Sequence, residues 1–333
     1  MKALVLDQNT SFGIKISEVQ LAALKPHEVK VKLHAAALNR RDEWCRQGRY
    51  PNIKNGVVLG SDGAGVVEAI GEEVDKDWLG KEVIINSANY WGENQKVQSA
   101  DFQILGMPAN GTLAEYVQVD VSRLAIKPAH MSFEEAAALP LAGLTAYRAL
   151  FYHGQVKAGQ KVLVTGFGGG VAQFATQYAI IAGAEVYVNS SKDDKISKAV
   201  ELGVKGGFNY KKEGWLDEAK GITGGFDLII DSAMGPTLPD LIGLLIPGGK
   251  LVFYGATLGN PPMLDARRVF WNQLTIQGTT MGSDKDFRDM VDFVIKEKIK
   301  PVIDSVRPLE RVLEAFELMS AGNQTGKIVV KIS

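Results

Sequence analysis

The segment VLVTGFGGGVAQFA, running from Val162 to Ala175, constrains the fold more than any other stretch of this chain. An apolar strand runs into glycines and directly on into an amphipathic helix. Glycines let the backbone turn tightly and approach a pyrophosphate, while the helix N-terminus offers N–H donors and the positive end of its dipole. The spacing departs from a strict G-x-G-x-x-G. Counted from Gly166 and Gly168, the last position falls on Val171, with Ala172 one step later. The register Gly166, Gly169, Ala172 fits better, because a small residue still permits close helix–strand packing. In a βαβ setting this predicts a dinucleotide site at Gly166, Gly168, Gly169, Gly170 and Val171. The alternative is a glycine-rich turn without a ligand.

The surrounding pattern supplies that setting. Strands are expected at 161–165, 185–189, 227–231, 250–254 and 274–278, with helices at 171–182 and 193–202. Short apolar runs bounded by Gly and Asp suit buried parallel strands, and the alternation predicts right-handed βαβ units in a doubly wound sheet. The character changes near Lys127. Before it, residues 28–38, 57–70, 81–86 and 112–121 read as strands, with glycines that suggest bulges. Residues 87–111 make a polar, aromatic-bearing segment too long for a simple turn, expected to be a lid or locally disordered. Ser132 and Glu135 form a capping-box pattern ahead of a helix at 136–151. The chain closes with helices at 284–296 and 309–320 and strands at 303–306 and 327–332. At 333 residues it exceeds one comfortable core, so two domains are expected.

About 20 residues beyond the glycines lies the position that reads the cofactor ribose. An NAD-preferring enzyme offers Asp or Glu there, whereas this chain has Ser190. A carboxylate would repel a 2′-phosphate. Ser190, Ser191, Lys192 and Lys195, joined by Tyr210, could bind one, which predicts NADP. Otherwise they are solvated turn residues. Gly255, after the 250–254 run, completes the expected cofactor set.

Balanced charge, 37 basic against 38 acidic residues without a basic stripe, argues against a nucleic-acid surface. No apolar run could cross a bilayer and none resembles a leader, so a cytoplasmic protein without a membrane partner is expected. Cys45 is the single cysteine, and the four histidines (His27, His34, His130, His153) show no ligand spacing. Neither a disulfide framework nor a multi-cysteine metal site can form, and no metal is expected.

With these residues in hand, the whole chain resembles the medium-chain dehydrogenase/reductase superfamily, particularly its zinc-independent quinone and enone reductase branch. The resemblance is carried by AAALNRRD (35–42), GRYP (48–51), LGSDGAGVVEAIG (59–71), SFEEAAALPLAGLTAY (132–147), the glycine turn and IPGGKLV (246–252). It implies a GroES-like catalytic domain of residues 1–126 and 283–333, a Rossmann domain of residues 127–282, and nicotinamide binding in the inter-domain cleft. It also implies a homodimer paired through the 274–278 strand. The zinc branch's ligand positions fall at Asn39 or its neighbours, Ser61 and Leu141, so the resemblance implies a site without zinc. It carries Asn39, Asp42 and Tyr50 onto a catalytic pocket, with Trp44 where that branch often has Tyr. Thr145 is implied beside the nicotinamide. Read from the residues alone, Asn39 and Asp42 could instead cap a helix, Tyr50 could be a packed loop aromatic, and Thr145 an ordinary helix residue.

A metal-free site favours substrates that disperse their own negative charge. Hydride reaching the β-carbon of a conjugated carbonyl yields an enolate that hydrogen-bond donors can stabilise, and a quinone yields an aromatic hydroquinone. The expected substrate is a small conjugated carbonyl or quinone, with residues 87–111 expected to govern the choice. The alternatives are an acrylyl- or enoyl-thioester reductase of the same fold and a non-catalytic NADPH-binding protein.

Overall fold

The computed structural model describes residues 1–333. It divides into two compact units, residues 1–142 with 282–333, and residues 143–281. The first division lies past the expected boundary at 126–127. Its cause is the short helix α2 (Phe133–Ala137, with α1 being Arg40–Arg46), which packs on the strands of the first unit.

The first unit opens with a two-stranded antiparallel pair, β1 (Lys2–Leu6) and β2 (Ile14–Glu18), which the sequence reading did not anticipate. Leu4 and Leu6 point from it into an apolar cluster with Leu38, Leu59, Phe316 and Val330. The main sheet has seven strands. Its spine is β3 (Glu28–Ala37), paired antiparallel with β4 (Asp62–Ile70) through two register shifts that bear out the expected bulges. The order continues from β4 to β5 (Glu82–Ile85) and then to β9 (Leu124–Ile126), while β8 (Tyr116–Asp120) pairs with β3. Residues 87–111 are folded rather than disordered. They hold a small pair, β6 (Ala88–Asn89) with β7 (Gln103–Ile104), over a buried Trp91 set edge-on to Phe102. The capping box at Ser132 and Glu135 forms as expected, with each backbone N–H donating to the other's side chain.

The expected single helix at 136–151 is interrupted. Helix α3 (Pro140–Tyr147) follows α2 after a break, and a π-helical turn covers Arg148–Gly154. Pro140 has no N–H to extend the preceding turn and excludes the helical conformation from the residue before it.

In the second unit, six parallel strands take the order β12-β11-β10-β13-β14-β15. They are β10 (Lys161–Val164), β11 (Glu185–Ser190), β12 (Gly206–Asn209), β13 (Phe226–Asp231), β14 (Leu245–Phe253) and β15 (Thr275–Gly278). Counted within the unit this is the order 3-2-1-4-5-6 of a dinucleotide-binding sheet, which reverses direction beside its first strand, β10. Helices α4 (Gly170–Ile181) and α5 (Asp193–Glu201) make the first two crossovers. Then come α6 (Trp215–Thr223), α7 (Leu238–Leu244) and α8 (Ala266–Trp271). The chain returns to the first unit through α9 (Asp284–Glu297), β16 (Ile303–Pro308), α10 (Val312–Ser320) and β17 (Lys327–Lys331). Strand β17 inserts between β16 and β3, carrying Lys327 beside the end of β3 where α1 begins. No helix is long and apolar enough to cross a membrane.

Candidate active site

Asn39 stands at the turn from β3 into α1, with little exposed surface. Its Nδ2 donates to Asp62 Oδ2 at 2.9 Å, and its Oδ1 accepts from Lys327 Nζ at 2.7 Å. Lys327 Nζ also donates to Asp62 Oδ2 at 2.8 Å, closing a triangle of buried groups. The other Asp62 oxygen accepts the Leu141 N–H at 2.8 Å. A carboxylate and an ammonium are both expensive to bury, and the arrangement satisfies them by pairing them and filling the remaining carboxylate valence from the backbone.

Asp42 sits one turn into α1 and is fully buried. Its Oδ2 accepts the Asn39 N–H at 2.8 Å, while its Oδ1 has no hydrogen-bond partner. Asp42 therefore caps its own helix and has no surface with which to meet a ligand. Of the two readings of Asp42, a place in the catalytic pocket and a helix cap, its burial and its bond to Asn39 fit the cap.

Tyr50, half-buried beyond the end of α1, is the expected residue whose hydroxyl has an identified polar neighbour, Arg41. Arg41 Nε donates to Tyr50 Oη at 3.3 Å, and the guanidinium carbon lies 4.7 Å from the ring centroid. Arg41 Nη1 reaches Ser61 Oγ at 2.6 Å and the Leu105 carbonyl at 2.7 Å. In the sequence Arg41 is one letter of the AAALNRRD motif. A second basic residue immediately before a capping aspartate was its only signal. Cys45, on the same helix, is buried and its thiol is pushed up to about 12, so it is no nucleophile.

In the second unit the glycine turn leaves the end of β10. Gly166 and Gly168 take positive φ values of 63° and 134°, and Gly169 precedes α4, whose first residues are Gly170 and Val171. The turn is pinned from β11. Asn189 Oδ1 accepts the Gly166 N–H at 2.8 Å, the Asn189 carbonyl accepts the Phe167 N–H, and Ser190 Oγ donates to the Phe167 carbonyl at 3.0 Å. A Cβ at Gly166 or Gly169 would meet nothing nearer than 3.7 Å or 3.8 Å respectively, so the turn faces open space. Bare backbone before a helix N-terminus fits a dinucleotide pyrophosphate.

Ser190 corrects the sequence reading. It is buried, and its single hydroxyl proton goes to Phe167, leaving none to donate to a phosphate. Ser191 follows half-buried, Lys192 is exposed at the start of α5, and Tyr210 is exposed after β12. Lys195 is buried in α5. Thr145 is buried in α3 with its hydroxyl 4.0 Å from Met281 Sδ. Gly255 follows β14, where a Cβ would press on the Ser232 carbonyl at 3.1 Å.

Residues 25–129 match the alcohol dehydrogenase GroES-like domain, and residues 170–296 match the zinc-binding dehydrogenase family. A zinc-type alcohol dehydrogenase-like protein of Schizosaccharomyces pombe is 38% identical, over 93% of this chain and 92% of its own. The acryloyl-coenzyme A reductase of Sulfurisphaera tokodaii is 30% identical over 99% of this chain and 100% of its own. A crystal structure titled as an NAD-dependent alcohol dehydrogenase superposes with a TM-score of 0.95 at 35% identity, covering both chains fully. The chain belongs to the medium-chain dehydrogenase/reductase superfamily.

As a member of that superfamily it is a nicotinamide-dependent oxidoreductase with a GroES-like unit and a Rossmann unit. Its residues at the zinc branch's ligand positions do not fit that metal. Leu141 contributes a backbone N–H, Ser61 a hydroxyl engaged by Arg41, and Asn39 an amide engaged on both sides. The Lys327 ammonium occupies the place beside Asn39 and Asp62. A catalytic zinc takes three protein ligands from thiolate, imidazole or carboxylate groups, and the one such group here, the Asp62 carboxylate, is taken up by Lys327, Asn39 and the Leu141 N–H.

Burial pushes the Asp42 carboxyl up to about 6, against the opposing pull of the Arg41 cation and the Asn39 N–H. An unfolded aspartate titrates near ~3.9, so between the two values the folded chain holds a proton that the unfolded chain has lost. Stability therefore falls as pH rises through that window and levels off above it. Asp42→Asn carries no charge to desolvate. Its stability relative to wild type should improve from about pH 4 to about pH 7 by on the order of 2–3 kcal/mol, measured by urea unfolding at both pH values. An unchanging difference would show that Asp42 does not titrate in this range.

Proposed function

We propose that the protein reduces the activated double bond of a small α,β-unsaturated carbonyl, or a quinone, with NADPH and without zinc. The observation that carries this reading is the buried Asn39–Asp62–Lys327 network, in which an ammonium takes up the polar groups around Asn39, one of the positions that the resemblance matches to a zinc ligand. Alkoxide chemistry on a simple alcohol needs strong charge stabilisation at the reacting oxygen. A conjugated substrate delocalises that charge and asks only for a hydrogen-bond donor. The bound nicotinamide would supply the hydride.

The chain's own residues divide the remaining work. The turn from Gly166 to Val171 holds the pyrophosphate, with Gly255 and Thr145 completing the cofactor contacts. Tyr50 donates a hydrogen bond or proton toward the developing oxyanion. Asn39 and Asp42 fix the start of α1 rather than touch the substrate. Acyl-thioester reduction is the second reading, favoured by full-length similarity to an acryloyl-coenzyme A reductase.

Oxidation of NADPH by 1,2-naphthoquinone, trans-2-hexenal and crotonyl-coenzyme A distinguishes these substrates. At least one should be reduced, chelators should leave the rate unchanged, and Tyr50→Phe should lower kcat by about tenfold or more. Turnover of ethanol or 1-butanol that requires stoichiometric zinc, with none of the three acceptors reduced, would overturn the reading. Cofactor binding without any turnover would favour a non-catalytic role.

The preference for NADPH rests on the missing acid at the end of β11. With Ser190 committed inward, Ser191 and the exposed Lys192 and Tyr210 are the side chains proposed to meet a 2′-phosphate, and Lys195 is buried. Ser191→Asp should raise the KM for NADPH roughly tenfold while changing that for NADH little, through like-charge repulsion. Equal changes for both cofactors would remove this face from phosphate recognition.

A homodimer is proposed through β15, the edge strand of the Rossmann sheet. Phe270 and Trp271, on α8 immediately before it, are exposed by 66% and 79%, and Met263 by 65%. An open strand edge flanked by large apolar side chains invites a second copy. Light scattering should give twice the 36.0 kDa chain mass at micromolar concentration, and Trp271→Glu should lower it. A monomer for the wild type would dismiss the assembly.

A further inference from the structure

The first unit buries a guanidinium that makes no direct ion pair, although the Asp42 carboxyl next to it in the chain feels its charge. Arg41 is 8% exposed, and every hydrogen-bond acceptor around it is neutral. Besides Ser61 and Leu105, its Nη2 approaches the Met107 carbonyl at 3.3 Å and the Ile104 carbonyl at 3.5 Å. Those carbonyls belong to the end of the 87–111 segment. Its remaining N–H, on Nε, goes to Tyr50 Oη.

Desolvating a guanidinium without a directly paired counter-ion costs several kcal/mol after relaxation. Its charge is left uncancelled by any direct ion pair. The carbonyl bonds explain how the cation is held in place, but they do not explain its last donor. A tyrosine hydroxyl has one proton and two lone pairs. Once Nε–H occupies a lone pair, the Tyr50 proton is directed away from Arg41, and the adjacent positive charge strengthens it as a donor.

We propose that Arg41 is a positioning residue that locks Tyr50 as a hydrogen-bond donor to the substrate oxygen and links that donor to the 104–107 backbone. This rests on the reading of Tyr50 given above. The arrangement supplies a fixed dipole where oxyanion charge develops, and it makes the 87–111 segment part of the catalytic geometry through its main chain. Substitutions that shift the 104–107 carbonyls would then alter turnover through Arg41 without touching substrate.

A double-mutant cycle tests this, using Arg41→Lys, Tyr50→Phe and the double variant in the full chain, with 1,2-naphthoquinone or trans-2-hexenal as acceptor. Arg41→Lys keeps a cation for the carbonyls but cannot also span to Tyr50. It should lower kcat roughly 10- to 100-fold with little change in KM, as misplacing a catalytic group does. In the Tyr50→Phe background the same substitution should cost no more than about two- to threefold, because its target hydroxyl is gone. Full, independent losses from both changes would show that Arg41 acts only as a structural clamp and would overturn the proposal. An unaffected Tyr50→Phe would instead remove Tyr50 from the reaction, and the proposal with it. A second measurement needs no turnover. The Tyr50 ¹³Cζ resonance, assigned by its loss in Tyr50→Phe, should move in folded Arg41→Lys, and an unmoved resonance would refute the coupling.

Discussion

The buried pair of Lys327 and Asp62 is the interaction on which the first unit's architecture turns. Removing either partner would leave an uncompensated charge in the interior, at a cost of about 3–5 kcal/mol. The pair draws together four distant parts of the chain. Lys327 opens β17, Asp62 opens β4, Asn39 ends the turn out of β3, and the Leu141 N–H comes from the first turn of α3. Each contributes a group that one of the others requires. Asn39 in turn supplies the N–H that Asp42 accepts, so the start of α1 is fixed by the same set of bonds. The direction in which α1 sends Arg41 and Tyr50 follows from that start.

The Rossmann unit shows a comparable economy around its glycine turn. Neutral hydrogen bonds from Asn189 and Ser190 hold Gly166 and Phe167, while Thr165 Oγ1 donates to Asp231 across neighbouring strands. Asp231 also accepts the N–H groups of Ala233 and Met234, where Met234 has a positive φ of 49°. The loops beyond β10 and β13 are thus shaped by side chains at the strand ends. A ligand cradle made of bare backbone needs such external support, because glycine contributes no packing of its own.

The parallel sheet was legible because its signals are local. Apolar runs, glycine turns and amphipathic helices each fit within a dozen or so residues, and their alternation implies the topology. The β1–β2 pair was not legible, since its strands are short and most of β2 faces outward. Tyr50 could be named from the resemblance, but its hydrogen-bond partner Arg41 could not. Arg41 and Ser61 meet across the fold, and no periodicity announces such a meeting. Ser190 shows the converse limit. Its identity marks a strand end without an acid, yet its hydroxyl turns inward and donates to the Phe167 carbonyl.

The position of Lys327 along the chain has a consequence for how the protein is made. Translation delivers Asn39 and Asp62 early, and the cation that must neutralise Asp62 arrives only with β17. Throughout synthesis of the intervening Rossmann unit, the nascent first unit carries an unpaired acid at the centre of its future interior. That acid can stay hydrated only while the surrounding sheet remains open. The Rossmann unit, whose strands are contiguous in sequence, has no such wait. The first unit therefore cannot close around its acid until β17, which follows the Rossmann unit in the chain, has been made.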